Sequence, residues 1–210
     1  MAWIEAGGVF ANPARHLDRL DRLIITALFA HFAVGMARQP IEAADFLLIV
    51  AESLTVALAL TRGRASTVSG RPMDWVVAVA AACSPMLLHP AEPAPLIPAA
   101  ACNALMLFGL LVQISGKAAL NTSFALVPSV RLVKMRGPYA FVRHPIYAGY
   151  AITHFGYLLA VPSMWNSAVI LSAFSLQVSR ILREEKLLNK TAAYRSFAEA
   201  VPYRLIPGLF

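Results

Sequence analysis

The amino-acid sequence predicts an all-α fold: a polytopic membrane helical bundle of about six transmembrane helices, with a cytosolic loop and a C-terminal tail. The first reason is composition. Of the 210 residues, 59% are hydrophobic and 14% are charged, and the mean hydropathy is +0.64, which is more apolar than a soluble domain of this length. The second reason is the recurrence of long apolar runs between short polar segments, and the third is that Lys and Arg gather at alternate ends of those runs.

Six apolar runs account for the predicted spans. The hydrocarbon core of a bilayer is about 30 Å thick, so a helix needs roughly 17 to 25 residues to cross it. Several runs are a little short, which keeps five spans as the alternative. Pro85 is expected to kink the third helix or end it early, because proline lacks a backbone N–H. The runs are residues 23–37, 43–61, 73–88, 96–115, 146–161 and 164–182.

The basic residues orient these spans. Lys and Arg near helix ends collect on the cytoplasmic side of a membrane. With six spans and a cytoplasmic N-terminus, every Lys and Arg except Arg38 falls on that side. We therefore expect an integral membrane protein with both termini in the cytoplasm, and the compact chain favours a bacterial inner membrane.

Charge and cysteine content argue against several classes of site. The net charge of +7 does not indicate nucleic-acid binding, because the basic residues are scattered between apolar runs rather than gathered on one polar surface. Cys83 and Cys102 each lie inside an apolar run, so we expect packing residues rather than a disulfide or a metal pair. No spacing typical of metal ligands occurs in the sequence, and no metal is expected.

The polar segments divide the chain into two parts. Residues 1–95 have the pattern of N-terminal transmembrane spans and little else. From Gly116 onward the polar segments lengthen, which places the expected chemistry in the second part, residues 96–210.

A helical hairpin, residues 146–182, is predicted inside the second part. Only Pro162 and Ser163 separate its two apolar runs, and so short a connection makes the helices antiparallel neighbours. The hairpin therefore brings two polar clusters to one membrane face. A guanidinium can bind a carboxylate and a carboxylate can bind an ammonium group, so together the clusters match a ligand with an amino-acid head group. The clusters are Arg143 with His144, and Glu184 with Glu185.

Ordered motifs surround these clusters. They are a Gly-Pro-Tyr turn, an Arg-His-Pro-x-Tyr-x-Gly helix start, a Glu-Glu pair, a Tyr about nine residues later and a Val-Pro-x-Arg-x-x-Pro ending. Their residues are Gly137, Pro138, Tyr139, Arg143, His144, Pro145, Tyr147, Gly149, Glu184, Glu185, Tyr194, Val201, Pro202, Arg204 and Pro207. In this order the motifs resemble the isoprenylcysteine carboxyl methyltransferase family of integral membrane enzymes, whose short Ser-Phe element the segment LNTSF at 120–124 also resembles.

The resemblance implies an S-adenosylmethionine-dependent membrane methyltransferase. It implies that the loop 116–143 and the tail after Glu184 close over the cofactor from the cytosol. It also implies that Arg143 and Glu184 are the catalytic residues and lie nearest the reacting centre. The cofactor-binding residues that it implies are Gly137, Pro138, Tyr139, His144, Tyr147 and Glu185.

The methyl acceptor is expected to be lipophilic and to enter from the bilayer among the membrane lipids, because a soluble acceptor would not need so many spans. A prenylated thiol or carboxylate, a lipid amine and a small hydrophobic metabolite all fit. We expect substrate contacts from Arg204, Tyr194 and His154. Tyr139 and Tyr147 have two interpretations, as walls for the adenine ring or as interfacial aromatic residues.

Two other functions fit parts of the pattern. Membrane sterol reductases carry a related Arg-His-Pro-x-Tyr junction and bind NADPH, but they usually continue with a bulky residue, Gly and Glu, where this chain has Ala148-Gly149-Tyr150. A non-catalytic lipid-binding membrane protein could keep the same architecture. The tail also departs from the methyltransferase pattern, with Ala193 before Tyr194 and with Phe197 where a second Tyr is frequent, and this departure bears on the substrate.

Two ionisable residues fall inside predicted spans. An ionised carboxylate is costly in a bilayer, so we expect Glu52 to be protonated or hydrogen-bonded to a neighbouring helix. For His31 we expect a packed, neutral imidazole.

Overall fold

The computed structural model describes residues 13–38, 43–89 and 94–210, which form seven α-helices. The cytoplasmic N-terminus that the charge distribution predicts falls outside these residues. The helices are α1 (Pro13–Met36), α2 (Ala43–Thr61), α3 (Pro72–Cys83), α4 (Ala99–Leu120), α5 (Pro145–Ala160), α6 (Met164–Leu188) and α7 (Ala192–Ala200).

Each predicted span overlaps one of the helices α1 to α6, so the helical class is confirmed. Pro85 acts as expected: α3 stops at Cys83, and the chain continues as a 3₁₀ turn over Ser84–Leu87. At the other end of the chain, α6 runs past the predicted boundary to Leu188. The two adjacent carboxylates after the hairpin are therefore helical.

One stretch within the described residues, Ala99–Ser123, is long and apolar enough to cross a bilayer by itself. The count of six transmembrane helices is therefore not confirmed. Leu48–Thr61 and Pro72–Leu87 are apolar but shorter. The 16 residues of α5 extend about 24 Å at 1.5 Å per residue, which is less than the thickness of the hydrocarbon core.

A small sheet accompanies the helices and was not predicted. Strands β1 (Thr67–Val68) and β2 (Ser129–Val130) pair in antiparallel fashion. They join the connection between α2 and α3 to the segment that follows α4. A two-residue strand is too short to show the alternating pattern by which strands are recognised in a sequence.

Two acidic residues of α1 hold the segment that follows α4. Asp21 is buried and accepts hydrogen bonds from Arg62 Nη1 at 2.5 Å and from the backbone N–H of Val127 at 3.0 Å. Asp18 forms ion pairs with Arg62 and Arg131. These partners replace the water that the carboxylates lose on folding. The chain between α4 and α5 is thereby fastened to the N-terminal helices.

Glycines allow α4 and α5 to pack closely. A Cβ atom at Gly149 would lie 2.7 Å from the carbonyl oxygen of Gly109 and from the side chain of Gln113. A Cβ atom at Gly109 would lie 2.3 Å from the hydroxyl oxygen of Thr153. Small residues let two helix backbones approach in this way. The contact fixes the position of α5, and with it the residues that immediately precede this helix.

The two ionisable residues inside predicted spans have different environments. Glu52 is hydrogen-bonded to a neighbouring helix, as expected: Lys117 Nζ of α4 donates to Glu52 Oε1 at 3.2 Å and to the carbonyl oxygen of Ala51 at 3.1 Å. The expectation of a packed His31 is wrong, because its side chain is exposed. The hydrophobic cluster that covers α1 includes Leu28 but no residue further along this helix.

Candidate active site

Glu185 lies at the centre of a buried polar cluster where α5, α6 and the C-terminal tail meet. Its Oε1 accepts hydrogen bonds from Arg143 Nε at 2.8 Å and from the hydroxyl of Tyr194 at 3.3 Å. His144 Nε2 lies 3.1 Å from the same oxygen, and Arg204 Nε donates to Oε2 at 2.8 Å. Three of the four partners therefore bind Oε1 and one binds Oε2, so both oxygens of the carboxylate are engaged. We call these five residues the Glu185 cluster.

The backbone ties the C-terminal tail to the start of α5. The N–H of Arg143 donates to the carbonyl oxygen of Tyr203, and the N–H of His144 donates to that of Arg204, both at 2.9 Å. Arg143 Nη1 also donates to two carbonyl oxygens near the end of α7. The Arg-His-Pro junction and the Val-Pro-x-Arg ending are therefore two halves of one structural unit.

Electrostatics keep the Glu185 cluster charged. Burial raises the pKa of the Glu185 carboxyl, but hydrogen bonds from His144 and Arg204, together with the charges of His144 and Arg143, outweigh burial and lower the pKa from 4.5 to about 2. Burial raises the pKa of Tyr194, and the negative charges of Glu185 and its neighbour add to that effect. Tyr194 therefore keeps its proton and remains a hydrogen-bond donor to an ionised carboxylate.

Glu184 has a different environment although it adjoins Glu185 in sequence. Its Oε2 accepts a hydrogen bond from the hydroxyl of Tyr147 at 3.0 Å, and its Oε1 has no partner among the described residues. The guanidinium carbon of Arg180 lies 5.1 Å from the centre of the Tyr147 ring, within the range of a cation–π contact. Successive residues of a helix point about 100° apart. Glu184 therefore has one oxygen, Oε1, that accepts no hydrogen bond from the described residues, whereas both oxygens of Glu185 are engaged.

The Gly-Pro-Tyr turn packs on the tail. Gly137 has a φ angle of +62°, in the left-handed region that glycine adopts without strain. Pro138 follows it in a 3₁₀ turn, Gly137–Ala140. Tyr139 is 6% exposed and packs with Tyr194 and Phe197, so it does not occupy an exposed interfacial position. Phe197, where the related family often has Tyr, fills this apolar core.

Burial raises the pKa of Tyr139, and the negative charge of Glu184 adds to the effect. Its phenol is therefore neutral at physiological pH.

His154 lies apart from the Glu185 cluster. Its ring stacks on that of Tyr150, which lies one turn earlier in α5, with 6.4 Å between the ring centres. Arg180 was not predicted as a site residue and was counted only among the cytoplasmic basic residues. It contacts the Tyr147 ring and donates to the carbonyl oxygen of Leu126 at 2.8 Å. The available signal was its position four residues before Glu184, on the same helix face.

A comparison with known families matches the part of the chain that contains most of this cluster. The model of the isoprenylcysteine carboxyl methyltransferase (ICMT) family matches residues 96–190, which contain the Glu184–Glu185 pair and end before Tyr194. No curated protein matches the chain. Residues 96–190 are thus similar to the isoprenylcysteine carboxyl methyltransferase family, whose members are integral membrane methyltransferases.

Proposed function

We propose that the chain transfers a methyl group from S-adenosylmethionine to a lipophilic acceptor at the cytoplasmic face of the membrane. The match of residues 96–190 to a methyltransferase family supports the reaction class. The contrast between two adjacent carboxylates carries the proposal to individual residues. Glu185 has four protein partners, whereas Glu184 has one and keeps Oε1 available.

Glu185 organises the site in this proposal. Because its acceptor positions are engaged, it serves the cofactor by holding Arg143 and His144 in place. Tyr194 and Arg204, which hold Glu185 from the tail side, act on the substrate through that arrangement. They are positioning residues, and a change in either one is expected to alter the orientation of Arg143.

The unengaged groups near Glu185 fit the chemistry of S-adenosylmethionine. The free Oε1 of Glu184 is suited to a positively charged group, such as the ammonium or the sulfonium. Arg143 Nη2, which makes no hydrogen bond among the described residues, is suited to a carboxylate. His144, Tyr147 and the turn Gly137–Ala140 complete the proposed cofactor side. When bound, the cofactor supplies a methyl group on a sulfonium.

Methyl transfer by in-line displacement makes limited demands on the protein. Donor and acceptor must be aligned and water must be excluded. The buried Glu185 cluster supplies rigid positions for Arg143 and His144 on the cofactor side of the site. A lipophilic acceptor reaches the site laterally from the bilayer. A prenylated thiol or carboxylate, a lipid amine and a small hydrophobic metabolite meet this description.

The proposal is tested by titrating the purified full chain, in neutral detergent, with S-adenosylhomocysteine in a calorimeter. Glu184→Gln and Arg143→Lys are expected to bind this nucleoside about 10- to 100-fold more weakly, because each loses a charge-assisted hydrogen bond. Glu199→Gln is the matched control, since Glu199 is an exposed residue of α7 outside the proposed site, and it should bind like the wild type.

Three results contradict the proposal. Unchanged affinity in Glu184→Gln and Arg143→Lys would remove both residues from the site. Binding of NADPH in place of S-adenosylhomocysteine would move the chain to a reductase function. A chain that binds neither nucleotide would be a non-catalytic member of the family.

A further inference from the structure

A second polar site lies on the side of α6 turned away from Glu185. It is a cleft of about 240 Å³ between the start of α3 and the end of α6. An α-helix turns about 100° per residue. The α6 residues that line the cleft, Arg183, Lys186 and Leu187, therefore lie within about 100° of one another, while Glu185 lies about 200° from Arg183. The cleft is distinct from the candidate active site.

The cleft carries an excess of positive charge. Arg71, Arg183, Lys186 and Lys190 line it, and Asp74 is the single acidic residue in its lining. Asp74 is buried and already paired, because it accepts hydrogen bonds from Ser69 and, at 2.8 Å, from Arg183 Nη1.

The remaining cations have no such partner. The side chains of Arg71, Lys186 and Lys190 make no hydrogen bond or ion pair among the described residues. Three unpaired cations around one concave space attract an anion with several oxygen atoms, and a phosphate group is the common biological example.

The volume of the cleft limits the size of the ligand that it can hold. A volume of about 240 Å³ corresponds to roughly eight water molecules at about 30 Å³ each. This is more space than a bare ion fills and less than the roughly 300 to 1,000 Å³ of a pocket for a drug-sized molecule. A phosphate with a small polar substituent, such as a lipid head group, is of the right size.

Exposed apolar side chains on the two helices that flank the cleft indicate the source of that phosphate. Met73 and Leu182, next in sequence to the lining residues Asp74 and Arg183, are 54% and 49% exposed, and Val76 of α3 is 59% exposed. Cations beside an exposed apolar surface match a phospholipid, whose phosphate binds the cations while its acyl chains cover the apolar side chains. We propose that this cleft binds the head group of an anionic phospholipid.

The test uses the purified full chain in neutral detergent and counts bound lipid by native mass spectrometry. The probes are dioctanoyl phosphatidylglycerol, dioctanoyl phosphatidylcholine and inorganic phosphate. Phosphatidylglycerol should bind in a saturable manner, with one molecule per chain bound more tightly than the rest. Its affinity should exceed that of the other two probes by at least about tenfold, since only this probe combines a net negative head group with acyl chains.

Two kinds of variant separate the cleft from general charge attraction. The triple variant Arg71→Gln/Lys186→Gln/Lys190→Gln should lose at least about tenfold in affinity. The matched control, Arg15→Gln/Arg19→Gln/Arg64→Gln, removes three exposed charges elsewhere and should stay within about twofold of the wild type.

A steric variant tests the cavity without changing any charge. Gly70 lines the cleft, and a Cβ atom at this position meets nothing within 4 Å. Gly70→Leu should therefore fill the cleft and weaken binding of phosphatidylglycerol to a similar degree, while the melting temperature stays near that of the wild type.

Three results overturn the inference. Equal loss of affinity in the cleft triple variant and its matched control would show general charge attraction only. Equal binding of inorganic phosphate would show that the lipid chains contribute nothing, and equal binding of phosphatidylcholine would show that the head-group charge does not matter.

Discussion

Glu184 and Glu185 show how far the environment of a residue can differ from that of its neighbour. A rotation of about 100° turns Glu185 toward the tail, where Arg143, His144, Tyr194 and Arg204 meet it, and turns Glu184 toward Tyr147. Glu185 is therefore held by several protein groups at the centre of the cluster. Glu184 keeps one oxygen without a hydrogen bond among the described residues, and it is the carboxylate that we propose for ligand binding.

The low pKa of Glu185 makes stability depend on pH. The unfolded carboxyl binds a proton near its ordinary pKa of 4.5, whereas the folded one does so only near 2. The unfolded state therefore binds more protons in this interval, and stability falls as the pH falls from about 5 to 2. Glu185→Gln should be about 3 kcal/mol less stable at pH 7. Its apparent melting temperature should fall less steeply than that of the wild type over the same interval.

Thermal unfolding followed by circular dichroism at a series of pH values checks this prediction, with Glu199→Gln as the exposed control. Parallel curves for wild type and Glu185→Gln would show that another group governs the acid sensitivity.

Among the elements, the contact between α4 and α5 sets the position of two residues of the candidate site. Arg143 and His144 precede α5 directly, so any shift of this helix moves both. Gly149 belongs to the Arg-His-Pro-x-Tyr-x-Gly motif, and its part in the structure is the close approach to Gly109 of α4. A residue that a functional motif contains thus acts by packing, at some distance from the polar cluster.

Gly149→Ala is expected to lower the free energy of unfolding by about 1 to 3 kcal/mol, because the added methyl group overlaps the backbone of α4. Gly35→Ala is the matched control: a Cβ atom there meets nothing within 4 Å, and alanine favours helix formation by up to about 1 kcal/mol. Denaturant unfolding in detergent measures both variants. A Gly149→Ala protein as stable as Gly35→Ala would show that the helices separate without cost.

For the whole molecule, two charge networks connect the N-terminal helices to the family-matched part of the chain. Asp18 and Asp21 of α1 fasten the segment after α4, and Glu52 of α2 pairs with Lys117 of α4. The second pair is asymmetric, because the Lys117 side chain has no exposure while that of Glu52 is 30% exposed. Loss of either partner therefore has unequal consequences.

Glu52→Gln should cost about 3 kcal/mol of stability, because it leaves a buried ammonium group without its counter-charge. Lys117→Met should cost less, since the carboxylate that remains is partly exposed whereas the ammonium group is not. The double variant should lie close to the wild type, because neither charge then remains without its partner. Unfolding measurements on all three proteins form a double-mutant cycle, and additive losses would show that the two residues do not interact.

Local patterns in the sequence predicted the helical class, the positions of six of the seven helices among the described residues, the early end of α3 at Pro85 and the resemblance to the family whose model matches residues 96–190. The short helix α7 was not predicted. The sequence also predicted that the hairpin brings Arg143 and His144 to the same end as Glu184 and Glu185. Both donors contact Glu185, whereas Glu184 contacts Tyr147. These features follow from residues close together in the chain: hydrophobic periodicity, proline geometry and a short connection between two helices.

The pairing of each carboxylate with its donors depends on the tertiary fold. So does the return of the tail, which meets the start of α5 at Tyr203 and Arg204. It also decided that Lys117 meets Glu52 and that the two short strands pair. Such contacts join segments whose separation in sequence leaves no local pattern. Their partners are selected by burial, since a buried charge or N–H group is stable only where the fold brings a complementary group to it.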